Sequence, residues 1–193
     1  TINYVRYLDD FPVYEITNLW SDVAGIMSRA DPKIYAVQTS TVAIKRCLLM
    51  TTDPSDLVLD PTCGSGTMAY VAEQWGRRWI TCDSSRVAII LAKQRVMTKV
   101  FDYYELSHPE DGLTSGFKYE KVPHITLGSI ANNEPAGEEI LFDQPKIDKE
   151  KIRIAGPFTV EAVPSPTVKS IDALSEAANQ DTSQTKASTQ QEW

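Results

Sequence analysis

Leu57, Val58 and Leu59 form an unbroken apolar run, the pattern of a short strand buried on both faces of a parallel sheet. Just beyond it, Met68, Val71, Ala72 and Trp75 recur at i, i+3, i+4 and i+7. That spacing predicts a helix over about 67–75 with one face on the sheet, ended by Gly76. Arg77 to Cys82 predicts a second strand running into Asp83, and residues 85–100 a further helix. In that helix Val87, Ile90 and Leu91 have inward spacing, and Lys93, Arg95 and Lys99 fall on the outer face. Upstream, Thr41 to Met50 predicts a helix capped by Thr39 or Ser40. Strand and helix in alternation predict an α/β layer.

After residue 100 the rhythm breaks. Gly and Pro punctuate shorter apolar runs, of which 125–130 and 158–163 are strand candidates. From Pro164 the chain turns to Ser, Thr, Gln, Ala and Lys, with a short helix expected near 171–178. The rest of that tail has too little apolar matter to order itself. The expected organisation is therefore 1–100, then an extension with short strands over 101–163, then a polar tail over 164–193.

The chemistry concentrates where the first strand meets its helix. Gly64 and Gly66 let the backbone bend sharply and approach a ligand, and the following helix directs its free N–H groups at the turn. Asp83, at the same sheet edge, can accept both hydroxyls of a ribose. Residues 64–69, Gly-Ser-Gly-Thr-Met-Ala, also satisfy the loose dinucleotide fingerprint. A triphosphatase phosphate loop fits worse, because Thr67 and Met68 follow the second glycine where lysine and its hydroxyl neighbour belong. A ligand-free tight turn remains the bland reading of a bare Gly-x-Gly.

Asp60-Pro61-Thr62-Cys63-Gly64-Ser65-Gly66-Thr67 resembles the Asp-Pro-Phe-x-Gly-Ser-Gly-Thr motif of amino-methylating DNA methyltransferases. Gly76-Arg77-Arg78-Trp79-Ile80 followed by Asp83 resembles that family's next strand and its acidic ribose position. Tyr35-Ala36-Val37-Gln38-Thr39-Ser40 is similar to its Tyr-Pro-Thr-Gln-Lys-Pro segment, and Thr17 to Val23 to the stretch before it. Residues 119–127 resemble a region of large, type III-like adenine-specific members. The resemblance implies a Rossmann-like sheet, present here in part, with S-adenosylmethionine as cofactor and methyl transfer to N6 of adenine in DNA. Carried over by position, Asp60 and Thr62 lie near the methionine part, Gly64 and Gly66 along the backbone approach with Thr67 after them, and Asp83 on the ribose. Gln38 and Thr39 close the pocket. Thr39 and Ser40 stand where the family often has lysine and proline, removing a charge that could meet the cofactor carboxylate, and Thr62 replaces the usual phenylalanine.

The family's Asp/Asn-Pro-Pro-Tyr/Phe catalytic loop does not occur in this sequence, so no catalytic residue is assigned. Asp31-Pro32-Lys33-Ile34 is its nearest imitation and reads as a turn. In the β-class order the catalytic loop precedes the cofactor motif, so this chain reads as the later part of such an enzyme, inactive alone. Its start at Thr1 without methionine agrees with that expectation.

The net charge of −7 opposes a DNA-binding role, since affinity for polyphosphate comes from basic patches. Residues 1–130 hold 13 Lys and Arg against 15 Asp and Glu, so most of the acidity lies beyond them. Lys45, Arg46, Arg77, Arg78, Lys93, Arg95 and Lys99 could line a basic face but read first as solvated surfaces. Cys47, Cys63 and Cys82 suit a reducing cytoplasm, and neither they nor His108 and His124 have the spacing of a metal site. The adjacent acids Asp9-Asp10 and Glu138-Glu139 read as solvated turns. No apolar run approaches the length of a membrane span. Expected partners are DNA, with a restriction subunit or a second copy as further candidates. Two other readings remain: a non-catalytic cofactor-binding or DNA-positioning module, and an NAD-dependent oxidoreductase.

Overall fold

The structure, a computed structural model, describes residues 5, 7–13, 16–23 and 33–164. The first helix, α1, spans Thr41–Thr51, and the Ser40 hydroxyl caps it by accepting the Val42 N–H at 3.3 Å. Strand β1 (Leu57–Asp60) leads through the glycine turn into α2 (Thr67–Gln74), and β2 (Arg78–Thr81) returns parallel to β1. Helix α3 (Arg86–Met97) is capped by Ser85, whose hydroxyl accepts the Ala88 N–H at 3.3 Å. Beyond it lie β3 (Val100–Tyr104), β4 (Tyr119–His124), α4 (Leu127–Asn132), β5 (Gly137–Pro145) and β6 (Ile147–Ile154). β3 pairs antiparallel with β6, and β4 with β5. Among the described residues this is a mixed α/β architecture of three two-stranded sheets. One compact unit ends at Gly156, and residues 157–164 of the second carry neither helix nor strand.

The core of the first unit gathers Leu48 of α1, Val71 and Ala72 of α2, Trp75, Tyr104 of β3 and Phe117. Val58 and Trp79 reach it from one face of the β1–β2 pair. Aromatic rings continue it outward: Trp75 to Tyr104 at 5.5 Å, Tyr104 to Phe117 at 5.2 Å edge-on, and Phe117 to Tyr119 at 6.3 Å. Burial holds the Tyr104 phenol neutral, its pKa pushed up to about 12. Gly76 ends α2 with φ at +69°, and a Cβ there would sit 2.8 Å from the Phe117 ring.

The predicted α1, the α2 face and the β2 strand are all present, but several expectations are corrected. β1 is not buried on both faces: Leu57 and Leu59 are 55% and 66% exposed, and Ile80 beside Leu59 is 54% exposed. The face that α3 turns inward also differs from the expected one. Its buried positions are Ala88, Ala92 and Val96, while Val87 and Ile90 are exposed. The helix also stops at Met97, and Val100 opens β3. Residues 125–130 form no strand, since Thr126 caps α4 by accepting the Ser129 N–H at 3.2 Å. Residues 158–163 are not a strand either. Glu138 and Glu139 lie on β5 rather than in a turn, each meeting a β4 side chain, Lys121 and His124 respectively. The predicted helix near 171–178 lies outside the described residues, as do Asp31 and Pro32. Among the described residues no helix is long and apolar enough to cross a membrane.

Arg77, read from sequence as a surface cation, is 4% exposed. Its guanidinium donates to the Trp75 carbonyl at 2.8 Å, the Thr52 hydroxyl at 3.1 Å and the Thr52 carbonyl, stitching the end of α2 to the end of α1. Burial lowers its proton affinity from the usual arginine range. Arg77→Met keeps the apolar stem and strands those acceptors, so a loss of about 2–3 kcal/mol in urea unfolding is expected. A loss below roughly 0.5 kcal/mol would mean that water replaces the guanidinium.

Candidate cofactor site

The parallel pair brings two carboxylates to one edge. Asp60 is the last residue of β1 and Asp83 follows β2, and the strands stay in register to Asp60 opposite Thr81. The backbone bonds from Cys82 N–H to Asp60 O (3.0 Å) and from Cys63 N–H to Cys82 O (2.8 Å) extend that register past the strands. The Asp60 carboxylate folds over its own turn, accepting the Thr62 N–H at 3.0 Å. Thr62 itself is exposed.

Asp83 ties the two loops together. One carboxylate oxygen accepts the Ser85 N–H and the other the Gly64 N–H, both at 2.8 Å. These backbone donors, Ser85 first and Gly64 second, hold its carboxyl below the usual carboxylate range. The side chain is only half-buried, and a carboxylate has acceptor capacity beyond these two bonds.

The two glycines do different work. Gly64, with φ at +51°, faces the Tyr35 ring and the Val37 carbonyl at 3.7 Å from where a Cβ would be. Gly66, with φ at +69°, is pressed against α3: a Cβ there would lie 2.6 Å from the Ala92 Cβ. The close approach that Gly66 permits is therefore to a helix, not to open space. Thr67 is 5% exposed, and its hydroxyl lies 2.8 Å from that of Ser65, behind the turn.

The glutamine-containing segment does reach the turn, through Tyr35 and Val37. Gln38 is half-buried and its side-chain oxygen accepts the Ile34 N–H at 3.1 Å, closing the loop before α1. Thr39 is exposed, one residue ahead of the Ser40 cap. The Thr17–Val23 stretch is held to α1 by Arg46, which binds the Asp22 carboxylate at 2.9 and 2.6 Å and lies over the Trp20 ring. Cys63 is 4% exposed and burial pushes its thiol pKa up, so it fills the turn rather than serving as a nucleophile.

Sequence reading missed two contributors, Tyr35 and Arg95. Arg95 lies seven residues after Ala88, on the small-residue face of α3, and that run of Ala88 and Ala92 was the available signal.

Residues 11–94 match the family described as DNA methylase. Over those residues this chain is similar to the DNA methylase family. It is 32% identical over 84 residues to type II methyltransferase M.BamHI of Bacillus amyloliquefaciens, covering 44% of this chain and 19% of that protein. It is 36% identical over 62 residues to type II methyltransferase M2.LlaDCHI of Lactococcus lactis subsp. cremoris, covering 32% and 23%. With type II methyltransferase M.HpaI of Haemophilus parainfluenzae the identity is 27% over 143 residues, covering 72% of this chain and 46% of the relative. The chain thus spans less than half the length of each of these type II methyltransferases. All three carry type II names, and none supports the type III-like resemblance of residues 119–127.

Proposed function

We propose that this chain is the cofactor-binding part of a DNA methyltransferase that moves a methyl group from S-adenosylmethionine to N6 of adenine. The observation that carries the proposal is Asp83 at the end of β2, bonded to the Gly64 N–H of the turn after β1, with Asp60 beside it. A half-buried carboxylate at the edge of a parallel pair, next to a left-handed glycine turn, suits a ribose diol and the chain of atoms that extends from it. When bound, S-adenosylmethionine supplies a methyl group activated by its sulfonium. Asp83 would accept ribose hydroxyls, the backbone of the Gly64–Gly66 turn, backed by α3 at Gly66, would line the approach, and Asp60 with Thr62 would face the methionine part. Gln38 and Thr39, on the segment that Tyr35 and Val37 hold against Gly64, would close the site.

The β1–α2–β2 unit is read as part of a Rossmann-like sheet. The bare side formed by Leu57, Leu59 and Ile80 supports that reading, since such a face needs cover. The chain contains no Asp/Asn-Pro-Pro-Tyr/Phe sequence, so the groups that activate the amine would stand on another stretch of polypeptide. An adenine must leave the duplex stack to reach any such site, at about a few kcal/mol of unstacking. DNA is accordingly the proposed partner of the whole protein.

Calorimetric titration of the intact protein with S-adenosylhomocysteine, with NAD as control, is expected to show binding of the former alone. Binding of NAD, or of neither ligand by folded protein, would sink the cofactor assignment. Digestion of methylated DNA then distinguishes N6-methyladenine, the expected product, from N4-methylcytosine.

A further inference from the structure

Behind the glycine turn lies a polar knot that the ligand-facing residues do not explain. Ser65 and Thr67 are 3% and 5% exposed, and their hydroxyls are 2.8 Å apart. Arg95, from the third turn of α3, places Nη1 3.0 Å from the Thr67 hydroxyl, 3.3 Å from the Ser65 carbonyl and 3.4 Å from the Ser65 hydroxyl. Its guanidinium lies 4.7 Å above the Tyr70 ring, one turn into α2. The peptide joining Ser65 to Gly66 is therefore held at both ends: its carbonyl faces Arg95, and its N–H donates to the Cys63 carbonyl at 2.8 Å.

We propose that Arg95 is a positioning residue for the cofactor turn. It fixes the Ser65–Gly66 peptide from behind while Asp83 fixes the Gly64 N–H from the front, so the turn is set before any ligand arrives. A turn ordered in advance spares the ligand the entropy of ordering it. The left-handed glycines on either side of Ser65 make such restraint necessary, because glycine backbone is the least restricted by its own sterics. Arginine differs from lysine here because its guanidinium can stack over Tyr70 while the two N–H groups of Nη1 are shared among the Ser65 and Thr67 acceptors. For the cofactor the role rests on the methyltransferase reading, but the ordering of the turn does not.

The test compares Arg95→Met and Arg95→Lys with the wild type in the intact protein. In Arg95→Met, amide hydrogen exchange at residues 64–67 is expected to quicken at least tenfold, with exchange in α1 and in the β4–β5 pair unchanged. The Kd for S-adenosylhomocysteine is expected to rise about tenfold, and KM for S-adenosylmethionine to rise without change in KM for DNA. Arg95→Lys should recover part of each effect. Unchanged exchange at 64–67 would overturn the inference, as would quickening spread evenly over the protein, the mark of a merely structural residue. If the wild type binds no S-adenosylhomocysteine while exchange at 64–67 still quickens in Arg95→Met, the cofactor reading fails and the positioning of the turn stands.

Discussion

Gly66→Ala is expected to destabilise the protein by about 2–4 kcal/mol and to abolish cofactor binding at ordinary concentrations. Two effects add. At φ +69° an L side chain meets its own backbone, which costs about 1 kcal/mol or somewhat more. The new Cβ would also stand 2.6 Å from the Ala92 Cβ and 2.9 Å from the Ala92 Cα, and the latter belongs to a helix backbone that cannot swing aside. Overpacking of that kind typically costs about 1–3 kcal/mol. Gly64→Ala is the built-in control: φ is +51°, but the nearest atoms lie at 3.7 Å, so only the conformational cost of about 1 kcal/mol applies. Urea unfolding of the two variants should separate them by about 1–3 kcal/mol. Adding Ala92→Gly to Gly66→Ala should recover part of the loss, a coupling expected only of groups in contact. Equal losses at Gly64 and Gly66 would show that α3 does not press on the turn.

Asp83→Ala is expected to weaken S-adenosylhomocysteine binding by roughly tenfold or more, the effect of losing a charged hydrogen-bonding partner. The carboxylate holds the Gly64 and Ser85 N–H groups at 2.8 Å, and in the proposed site it would also offer the cofactor an acceptor. Asp83→Asn keeps the shape with one acceptor oxygen and should fall between alanine and wild type. The pH dependence carries its own sign. Backbone donors depress the folded-state pKa below the unfolded value of about 3.9, so the contribution is complete above the ordinary carboxylate range. It is lost only as pH falls below that range, through the depressed folded value. Binding limited by Asp83 should therefore be flat from neutrality down to about pH 5 and decline in stronger acid. A folded Asp83→Ala variant with wild-type affinity would remove Asp83 from the site.

Some of this site could be read without a structure because its determinants are local. The apolar run at 57–59, the i, i+3, i+4, i+7 face of α2 and the Ser40 cap are each written within a few residues of the feature they set. So is the placement of two glycines between a strand and a helix, with Asp83 after the next strand. The β1–α2–β2 order and the placing of Asp60 and Asp83 at one edge follow from those local patterns, whereas the expected burial of 57–59 on both faces does not.

Tertiary packing decided the remainder. Val87, Ile90 and Leu91 looked like the inner face of α3, yet contact with Gly66 admits only a small side chain, so Ala92 and its neighbours Ala88 and Val96 turn inward instead. Arg77 and Arg95 looked like solvated cations, and both are spent on carbonyls and hydroxyls that helix ends and turns leave open. The charged stretches of β5 and β6 show no strand rhythm, because their pairing with β4 and β3 is set by distant partners. Periodicity reports which residues could be buried, whereas burial itself depends on what arrives to cover them. For that reason the sequence alone determined where the turn and its two carboxylates lie along the chain, and only the three-dimensional packing decided which helix face and which arginine hold them in place.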